Sequence, residues 1–193
     1  MFFDNLLTIG KKYGIIYADP AWKYDDEGCQ GTATDHYKTM TCQDICGLPV
    51  KELADNDCVL FMWATYPKLP EALEVIKAWG FEYKSIAFQW IKKNKSGIGN
   101  FYGLGRWTRG NTEPCLLAVK GKPKRVSASV FQIIESRLTE HSRKPVIVRE
   151  KIVKLMGALP RIELFARERI KGWDCWGDQI PSDEQEVLCV GGE

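Results

Sequence analysis

Short apolar runs that stop at polar loops alternate with amphipathic helical segments along this chain of 193 residues. The first run covers Gly14–Ala18 and ends at Asp19-Pro20, and a second covers Cys58–Ala64. After the second run, apolar residues recur at helical spacing up to a closing glycine, Gly80; they are Leu69, Ala72, Leu73 and Ile76. This alternation is typical of an α/β fold with a mainly parallel central sheet flanked by helices.

The second half of the chain continues the pattern. Further strands are predicted at Ser85–Ile91, Pro114–Val119 and Arg161–Ala166. A helix is predicted to start at Ser142–Pro145, with Pro145 in its first turn. Its apolar face would comprise Val148, Ile152, Leu155 and Met156. Because such sheets bind ligands beyond the carboxyl ends of their strands, Asp19 and Arg167 are expected at the binding site.

Composition limits the class of protein. An apolar share of 45% supports a single folded domain, predicted over residues 1–181, followed by an acidic tail at 182–193. No segment approaches the roughly 20 apolar residues of a membrane span, so no membrane partner is expected. The start has no signal-peptide pattern, which predicts a cytoplasmic protein with reduced thiols.

Cysteines are frequent, but their spacing does not predict a metal centre. The chain has 7 cysteines, and Cys42 and Cys46 are separated by three residues rather than the two of a typical zinc pair. We therefore expect no metal cofactor and interpret the cysteines as scattered buried thiols.

The loop after the first strand, Asp19-Pro20-Ala21-Trp22, combines a carboxylate, a stiffening proline and a large aromatic ring. Taken alone, it fits an ordinary strand-to-turn connection at least as well as a catalytic loop, because Asp-Pro is frequent in turns. Other blocks of the sequence decide between an ordinary turn and a catalytic loop.

Several blocks of the sequence resemble, in order, those of the MT-A70 family of N6-adenine methyltransferases, which use S-adenosyl-L-methionine (SAM). The loop Tyr17–Tyr24 is similar to the family's Asp-Pro-Pro-Trp motif, with Ala21 in place of the second proline. The other similar blocks are His36–Thr41, Leu60–Thr65, Gly110–Gly121, His141–Pro145, Arg161–Arg167 and Gly172–Gly177. The resemblance extends from Tyr13 to Gln179 and implies a Rossmann-like SAM-dependent methyltransferase fold.

The resemblance implies a chemical role for the loop. Asp19 and the Pro20 carbonyl would each accept an N–H of the adenine amine, freeing its lone pair, and Asp19 would stabilise the positive charge that develops on nitrogen. Trp22 would pack against the flipped adenine, with burial in the core as its competing role. The departure at Ala21 leaves the Pro20 carbonyl in place and reduces only the stiffness of the loop.

The resemblance also implies a set of cofactor contacts. Lys144 would pair with the carboxylate of SAM, and Asp19 would lie near its ammonium. The remaining contacts, to the ribose and adenine, would come from Glu163, Phe165, Arg167, Asp178 and Gln179. A Glu163–Arg167 ion pair is the structural alternative for that carboxylate.

A basic segment suggests the partner. The formal net charge is only +2, but residues 92–125 contain nine basic residues and one acid, Glu113. Such a segment with interleaved aromatics favours nucleic acid, although a solvated basic loop is the alternative. The predicted substrate contacts are Tyr37, Trp90, Arg106, Trp107, Arg109, Glu113, Lys122 and Lys124.

The expected function is methyl transfer from SAM to the N6 amine of adenine in DNA, by a monomer or homodimer of phage or bacterial type. Methylation of RNA adenine stays open, as does a catalytically inactive nucleic-acid-binding subunit. A related loop could also serve a cytosine amine or a protein amide.

Overall fold

A computed structural model describes residues 10–24, 39–103, 107–139 and 143–180. The strands are β1 (Tyr13–Ala18), β2 (Ala54–Trp63), β3 (Glu82–Lys93), β4 (Thr112–Lys120), β5 (Ile133–Arg137), β6 (Arg161–Leu164) and β7 (Asp174–Trp176). The helices are α1 (Cys42–Cys46), α2 (Val50–Leu53), α3 (Leu69–Ala78) and α4 (Ile147–Met156), with a short 3-10 turn at Tyr66–Lys68. The predicted tail at 182–193 lies outside the described residues.

Within these ranges the strands form one seven-stranded sheet in the order β5-β3-β4-β2-β1-β6-β7. Four neighbouring pairs are parallel: β1 with β2, β1 with β6, β3 with β5, and β6 with β7. β4 runs antiparallel to both of its neighbours, β2 and β3. The α/β class is therefore confirmed, and the sheet is mixed, because apolar patterning locates a buried strand without fixing its direction.

Alternate residues of the central strands supply the two faces of the sheet, each of which is buried. On β1, Ile16 and Ala18 join the apolar cluster that contains α3, whereas Ile15 and Tyr17 join the cluster that contains α4. Both faces are covered, so β1 is buried along its whole length. This arrangement explains why its sequence is a continuous apolar run.

The predicted helices are present, with one shifted start. α3 ends as expected before Gly80, which has a φ of +81° that suits glycine. α4 begins at Ile147, so the prediction that Pro145 occupies its first turn is wrong. The Pro145 carbonyl instead accepts the N–H of Val148 at 3.1 Å, in the turn that leads into the helix.

No helix in the described parts of the chain has both the length and the apolar character that crossing a bilayer requires.

Candidate active site

A cleft opens where β1, β2 and β6 end and β4 begins. The loop residue Asp19 follows β1 directly, and Phe165 follows β6 directly. Of the residues predicted from sequence, the cleft brings together Asp19, Pro20, Trp22, Glu113, Lys144, Phe165, Arg167, Asp178 and Gln179. These come from five separate parts of the chain, so their convergence is a product of the sheet topology.

Backbone hydrogen bonds fix the shape of the Asp19–Trp22 loop. The Pro20 carbonyl accepts the N–H of Trp22 at 2.9 Å, and the Ala21 carbonyl accepts the N–H of Met40 at 2.8 Å. A carbonyl oxygen has two lone pairs, so Pro20 can accept a second donor in the cleft. Because Met40 holds the loop through the Ala21 carbonyl, the bracing does not need a proline at position 21.

Trp22 is buried in the core and also borders the cleft. Its side chain is 6% exposed and belongs to the core cluster on the α3 face, yet it also lines the cleft. Its indole N–H donates to the Trp63 carbonyl at 3.3 Å. The ring is therefore held rigidly and presents its remaining surface to whatever enters the cleft.

A row of alternating charges crosses the floor of the cleft. Lys144 Nζ lies 2.8 Å from Asp19 Oδ1 and 3.0 Å from Glu113 Oε1. The other carboxylate oxygen of Glu113 lies 2.9 Å from Lys92 Nζ. Glu113 thus links two lysines, and Lys144 links two carboxylates, so each buried charge has an opposite neighbour.

Burial and pairing together set the pKa values of these groups. Burial raises the pKa of Asp19 above its ordinary value, and this effect exceeds the opposing effect of Lys144. For Glu113, burial also acts to raise the pKa, but Lys144 and Lys92 outweigh it and the pKa is lowered. Burial acts to lower the pKa of Lys144, and the two carboxylates raise it above its ordinary value. Lys144 is therefore charged at neutral pH.

Lys144 was predicted to pair with the carboxylate of a bound cofactor. In this structure its ammonium is engaged by Asp19 and Glu113, with its side chain 9% exposed. It also lies over the Trp63 ring, 5.6 Å from the centroid. The sequence indicated the residue but not this pairing, because Asp19 and Glu113 are distant from it along the chain.

A second hollow adjoins the cleft and shares Asp19, Lys144, Phe165 and Arg167 with it. Glu163 lines this hollow and accepts hydrogen bonds from Nε and Nη2 of Arg149, at 2.6 and 2.8 Å. The alternative partner considered for Glu163, Arg167, is therefore wrong. Arg149 lies on α4 and Glu163 lies on β6, so this ion pair depends on how the helix packs in the folded protein.

Phe165 has an unusual backbone at the boundary between the two hollows. Its φ of 62° lies in the left-handed region, which is uncommon for a side chain other than glycine. The Phe165 ring packs edge-on against Trp176, with centroids 5.6 Å apart. This turn directs the chain away from the sheet immediately after β6 and places Phe165 and Arg167 in the cleft.

Two of the residues predicted to contact nucleic acid lie on an exposed loop at the same end of the sheet. Trp107 is 97% exposed and Arg109 is also exposed, in the connection between β3 and β4. Ile91 pairs with Thr112 at the base of this connection, beside Glu113. The connection that carries both side chains therefore enters β4 at the end of the sheet where the cleft lies.

The remaining predicted contacts fall elsewhere. Trp90 is 2% exposed and lies in the core on the α4 face, so its predicted contact with a base is wrong. Lys122 and Lys124 follow the far end of β4, which rises about 26 Å from Thr112 at 3.3 Å per residue. They therefore lie at the end of β4 opposite to Arg109, and their contact with nucleic acid stays a prediction. Tyr37 and Arg106 lie outside the described residues.

The sequence did not indicate three further groups of the site. Tyr24 and Thr65 line the cleft and are joined through their hydroxyls at 2.6 Å. Lys92 was counted only as part of a basic segment, although it pairs with buried Glu113. An isolated hydroxyl or lysine carries no pattern, so no sequence signal distinguished these residues from surface positions.

Comparison with known proteins places these features in a family. The MT-A70 family model matches residues 13–179. The Type II methyltransferase M.MunI of Mycoplasma sp is 36% identical over 201 residues, covering 94% of this chain and 83% of that protein. The human N(6)-adenosine-methyltransferase catalytic subunit METTL3 is 28% identical, covering 90% of this chain and 29% of its own length.

A plant relative, like the human one, is matched over only a small part of its length. The N(6)-adenosine-methyltransferase MT-A70-like protein of Arabidopsis thaliana is 28% identical over 87% of this chain. The matched region spans 24% of that protein, so the chain corresponds to about a quarter of the eukaryotic relatives. It corresponds to most of the Mycoplasma methyltransferase.

Proposed function

The chain belongs to the MT-A70 family, and we propose that it transfers a methyl group from SAM to the exocyclic N6 amine of adenine in DNA. The observation that carries this proposal is the meeting of Asp19, Pro20 and Lys144 in one cleft. The similarity to a Type II methyltransferase over 83% of that protein's length favours DNA as the acceptor.

The loop supplies the two acceptors that an amine requires. Asp19 and the Pro20 carbonyl are adjacent along the chain, so one rigid turn can accept both N–H bonds of an adenine amine. This draws the nitrogen towards a tetrahedral shape and makes its lone pair available. Asp19 also stabilises the positive charge that develops on nitrogen before its proton is lost.

The donor set of the cleft and the adjoining hollow fits SAM. Lys144 offers a cation for a carboxylate, Asp19 an acceptor for an ammonium, and Phe165 a ring face beside the ribose-binding candidates Arg167 and Glu163. Asp178 and Gln179 add hydrogen-bonding groups for hydroxyls or an adenine. When bound, SAM supplies an activated methyl group on sulfonium, so the protein needs to align the groups rather than provide a strong base.

Access of a base to the cleft requires extrusion from the duplex. The cleft is recessed at the end of the sheet, so an adenine in a stacked helix cannot reach Asp19. Trp22 provides a fixed ring inside the cleft, and Trp107 and Arg109 provide an exposed aromatic and an exposed cation on the connection that leads into β4. We assign Trp22 to holding the flipped adenine. We assign Trp107 and Arg109 to contacting the DNA strand outside the cleft.

The test is to incubate the protein with isotope-labelled SAM and unmethylated plasmid DNA, digest the DNA, and identify the labelled nucleoside by mass spectrometry. The proposal expects label in N6-methyldeoxyadenosine. Label in N4-methyldeoxycytidine would contradict the assignment of the base, and label in neither nucleoside would contradict the activity.

A matched RNA substrate separates the acceptor polymers. An RNA transcript of the same sequence is expected to accept label much more slowly than the DNA. Faster labelling of the RNA would overturn DNA as the preferred acceptor. Calorimetric titration with SAM distinguishes an inactive subunit, which would neither bind SAM nor transfer its methyl group.

A further inference from the structure

Two cysteines and a glutamate form a compact group away from the active-site cleft. Cys42 and Cys46 lie one helical turn apart on α1, and Glu74 lies on the neighbouring helix α3. Their two sulfur atoms and a carboxylate oxygen all lie within 4.8 Å of one another. The three residues come from two different elements, so packing of α1 against α3 is what assembles the group.

The spacing of these atoms suits a small tetrahedral metal ion. A zinc–sulfur bond of about 2.3 Å separates two thiolates on one ion by about 3.8 Å. Cysteines four residues apart on a helix have side chains on the same face, which permits this separation without unwinding the helix. The sequence had argued against a metal because three residues, rather than two, separate the cysteines; on a helix that spacing becomes favourable.

The charge and exposure of the group are also compatible with an ion. Both cysteines are partly exposed and Glu74 is exposed, so an ion can reach them from solvent. Two thiolates and a carboxylate would neutralise a divalent cation and leave one excess negative charge. Thiolates are soft ligands, which selects Zn²⁺ or Cd²⁺ over Mg²⁺ or Ca²⁺.

We propose that Cys42, Cys46 and Glu74 bind a thiophilic divalent cation of the Zn²⁺ or Cd²⁺ type, with water as a fourth ligand. The ion replaces the two thiol protons, which are released to solvent, and no electron transfer is involved. The site is structural, because it lies on helices outside the cleft that contains Asp19.

Such an ion would stabilise the packing that supports the catalytic loop. Thr41, the N-terminal cap of α1, directly follows Met40, which hydrogen-bonds to the Ala21 carbonyl and to the Lys23 N–H. Fixing α1 to α3 therefore also fixes the segment that braces Asp19–Trp22. This inference stands on different residues from the proposed methyl transfer and can fail independently of it.

The primary test is titration of the full, reduced, chelator-treated protein with Cd²⁺, followed through the ultraviolet charge-transfer absorption of cadmium–thiolate bonds. We expect one equivalent to bind in wild type, loss of binding in Cys42→Ser and Cys46→Ser, and weaker binding in Glu74→Gln. Cys175→Ser is the matched control, because this partly buried thiol lies on β7, and it is expected to bind as wild type does. Equal absorption in wild type, Cys42→Ser and Cys46→Ser would overturn the site.

A second measurement uses only the wild-type chain and therefore does not depend on whether the variants fold. Alkylation of native protein, with and without Zn²⁺, is mapped to individual cysteines by mass spectrometry. The proposal expects Zn²⁺ to protect Cys42 and Cys46 but not Cys175. Unchanged labelling of Cys42 and Cys46 in the presence of Zn²⁺ contradicts it.

Discussion

The ammonium of Lys144 lies 2.8 Å from the carboxylate of Asp19, although 125 positions separate the two residues in the sequence. The contact joins the loop after β1 to the segment that enters α4. Lys144 thus holds the group proposed to receive the adenine amine, while sharing its charge with Glu113. Catalysis and local stability are therefore linked through one cation.

Replacing Asp19 with asparagine tests the proposed catalytic role with little change in side-chain size. We expect kcat to fall by roughly 10²–10³-fold, because a neutral amide does not stabilise charge on the amine nitrogen. Transfer of label from SAM to plasmid DNA gives the rate, and circular dichroism verifies the fold.

Asp57→Asn provides the control for Asp19→Asn. Asp57 accepts the Lys122 N–H at the far end of the sheet, and its substitution should leave methyl transfer unchanged. If Asp19→Asn kept near-normal activity, the proposed mechanism would be wrong.

Replacing Lys144 with methionine should destabilise the protein in a pH-dependent way. The change leaves Asp19 and Glu113 as neighbouring buried carboxylates, and removing one partner of a buried pair costs about 3 kcal/mol. Both carboxyl pKa values rise in the folded variant, so its folded state prefers the protonated forms. Its free energy of unfolding should consequently decrease as the pH rises above the ordinary carboxyl range.

Urea unfolding of Lys144→Met and wild type checks the direction of this pH dependence. The stability deficit of the variant should be larger at about pH 8 than at about pH 5. Lys154→Met, at an exposed position on α4, should show a small deficit at both pH values. A deficit for Lys144→Met that grows towards low pH would contradict the charge arrangement.

The first strand and its loop could be predicted from sequence because their determinants are local. A strand buried on both faces must be apolar throughout, and the residue where that run stops must lie at the sheet edge. Gly14–Ala18 satisfied the first condition and Asp19 the second. The helical spacing in α3 was equally local.

The unpredicted parts depend on contacts between distant residues. The apolar run in β4 does not encode an antiparallel direction, and for this reason Lys124 was grouped with Arg109 although β4 separates them. Glu163 was recognised as needing a cation, but the partner that reaches it, Arg149, is set by the docking of α4. The left-handed turn at Phe165 has no sequence signal, because the residue is not glycine.

The pH dependence of methyl transfer should report the raised pKa of Asp19. Asp19 stabilises the positive charge on the amine nitrogen only in its carboxylate form, so kcat should fall as the pH decreases through the Asp19 pKa. Burial raises that pKa above its ordinary value of 3.8, and the charge of Glu113 raises it further. Glu113→Gln should therefore shift the acidic limb of the kcat profile to lower pH.

The matched control for Glu113→Gln is Glu82→Gln, an exposed glutamate at the other end of β3. Its acidic limb should coincide with that of wild type. An acidic limb that stays in place in Glu113→Gln, or moves to higher pH, would show that Asp19 does not control it.

Glu163→Gln separates a structural ion pair from a cofactor contact. The variant retains at most part of the two hydrogen bonds from Arg149 and leaves this guanidinium with only its longer ion pair to Glu168, at 3.8 Å. We expect a cost of up to about 3 kcal/mol. Glu135→Gln, an exposed partner of Lys93, should cost less than about 1 kcal/mol. Urea unfolding gives both values, and KM for SAM is measured in parallel. A raised KM with unchanged stability would assign Glu163 to the cofactor alone.

Arg109→Ala and Lys124→Ala form a matched pair for locating the DNA-binding surface. Both residues are exposed cations of the basic segment 92–125, but only Arg109 lies on the connection beside the cleft. Removing a phosphate contact weakens binding and reduces the magnitude of the salt-dependence slope by about 1. We expect this for Arg109→Ala and not for Lys124→Ala, when DNA affinity is measured by fluorescence anisotropy across a salt series.

Because both variants lose one positive charge, a difference between them arises from position rather than from net charge. Equal weakening by both would mean that DNA also contacts the far end of β4.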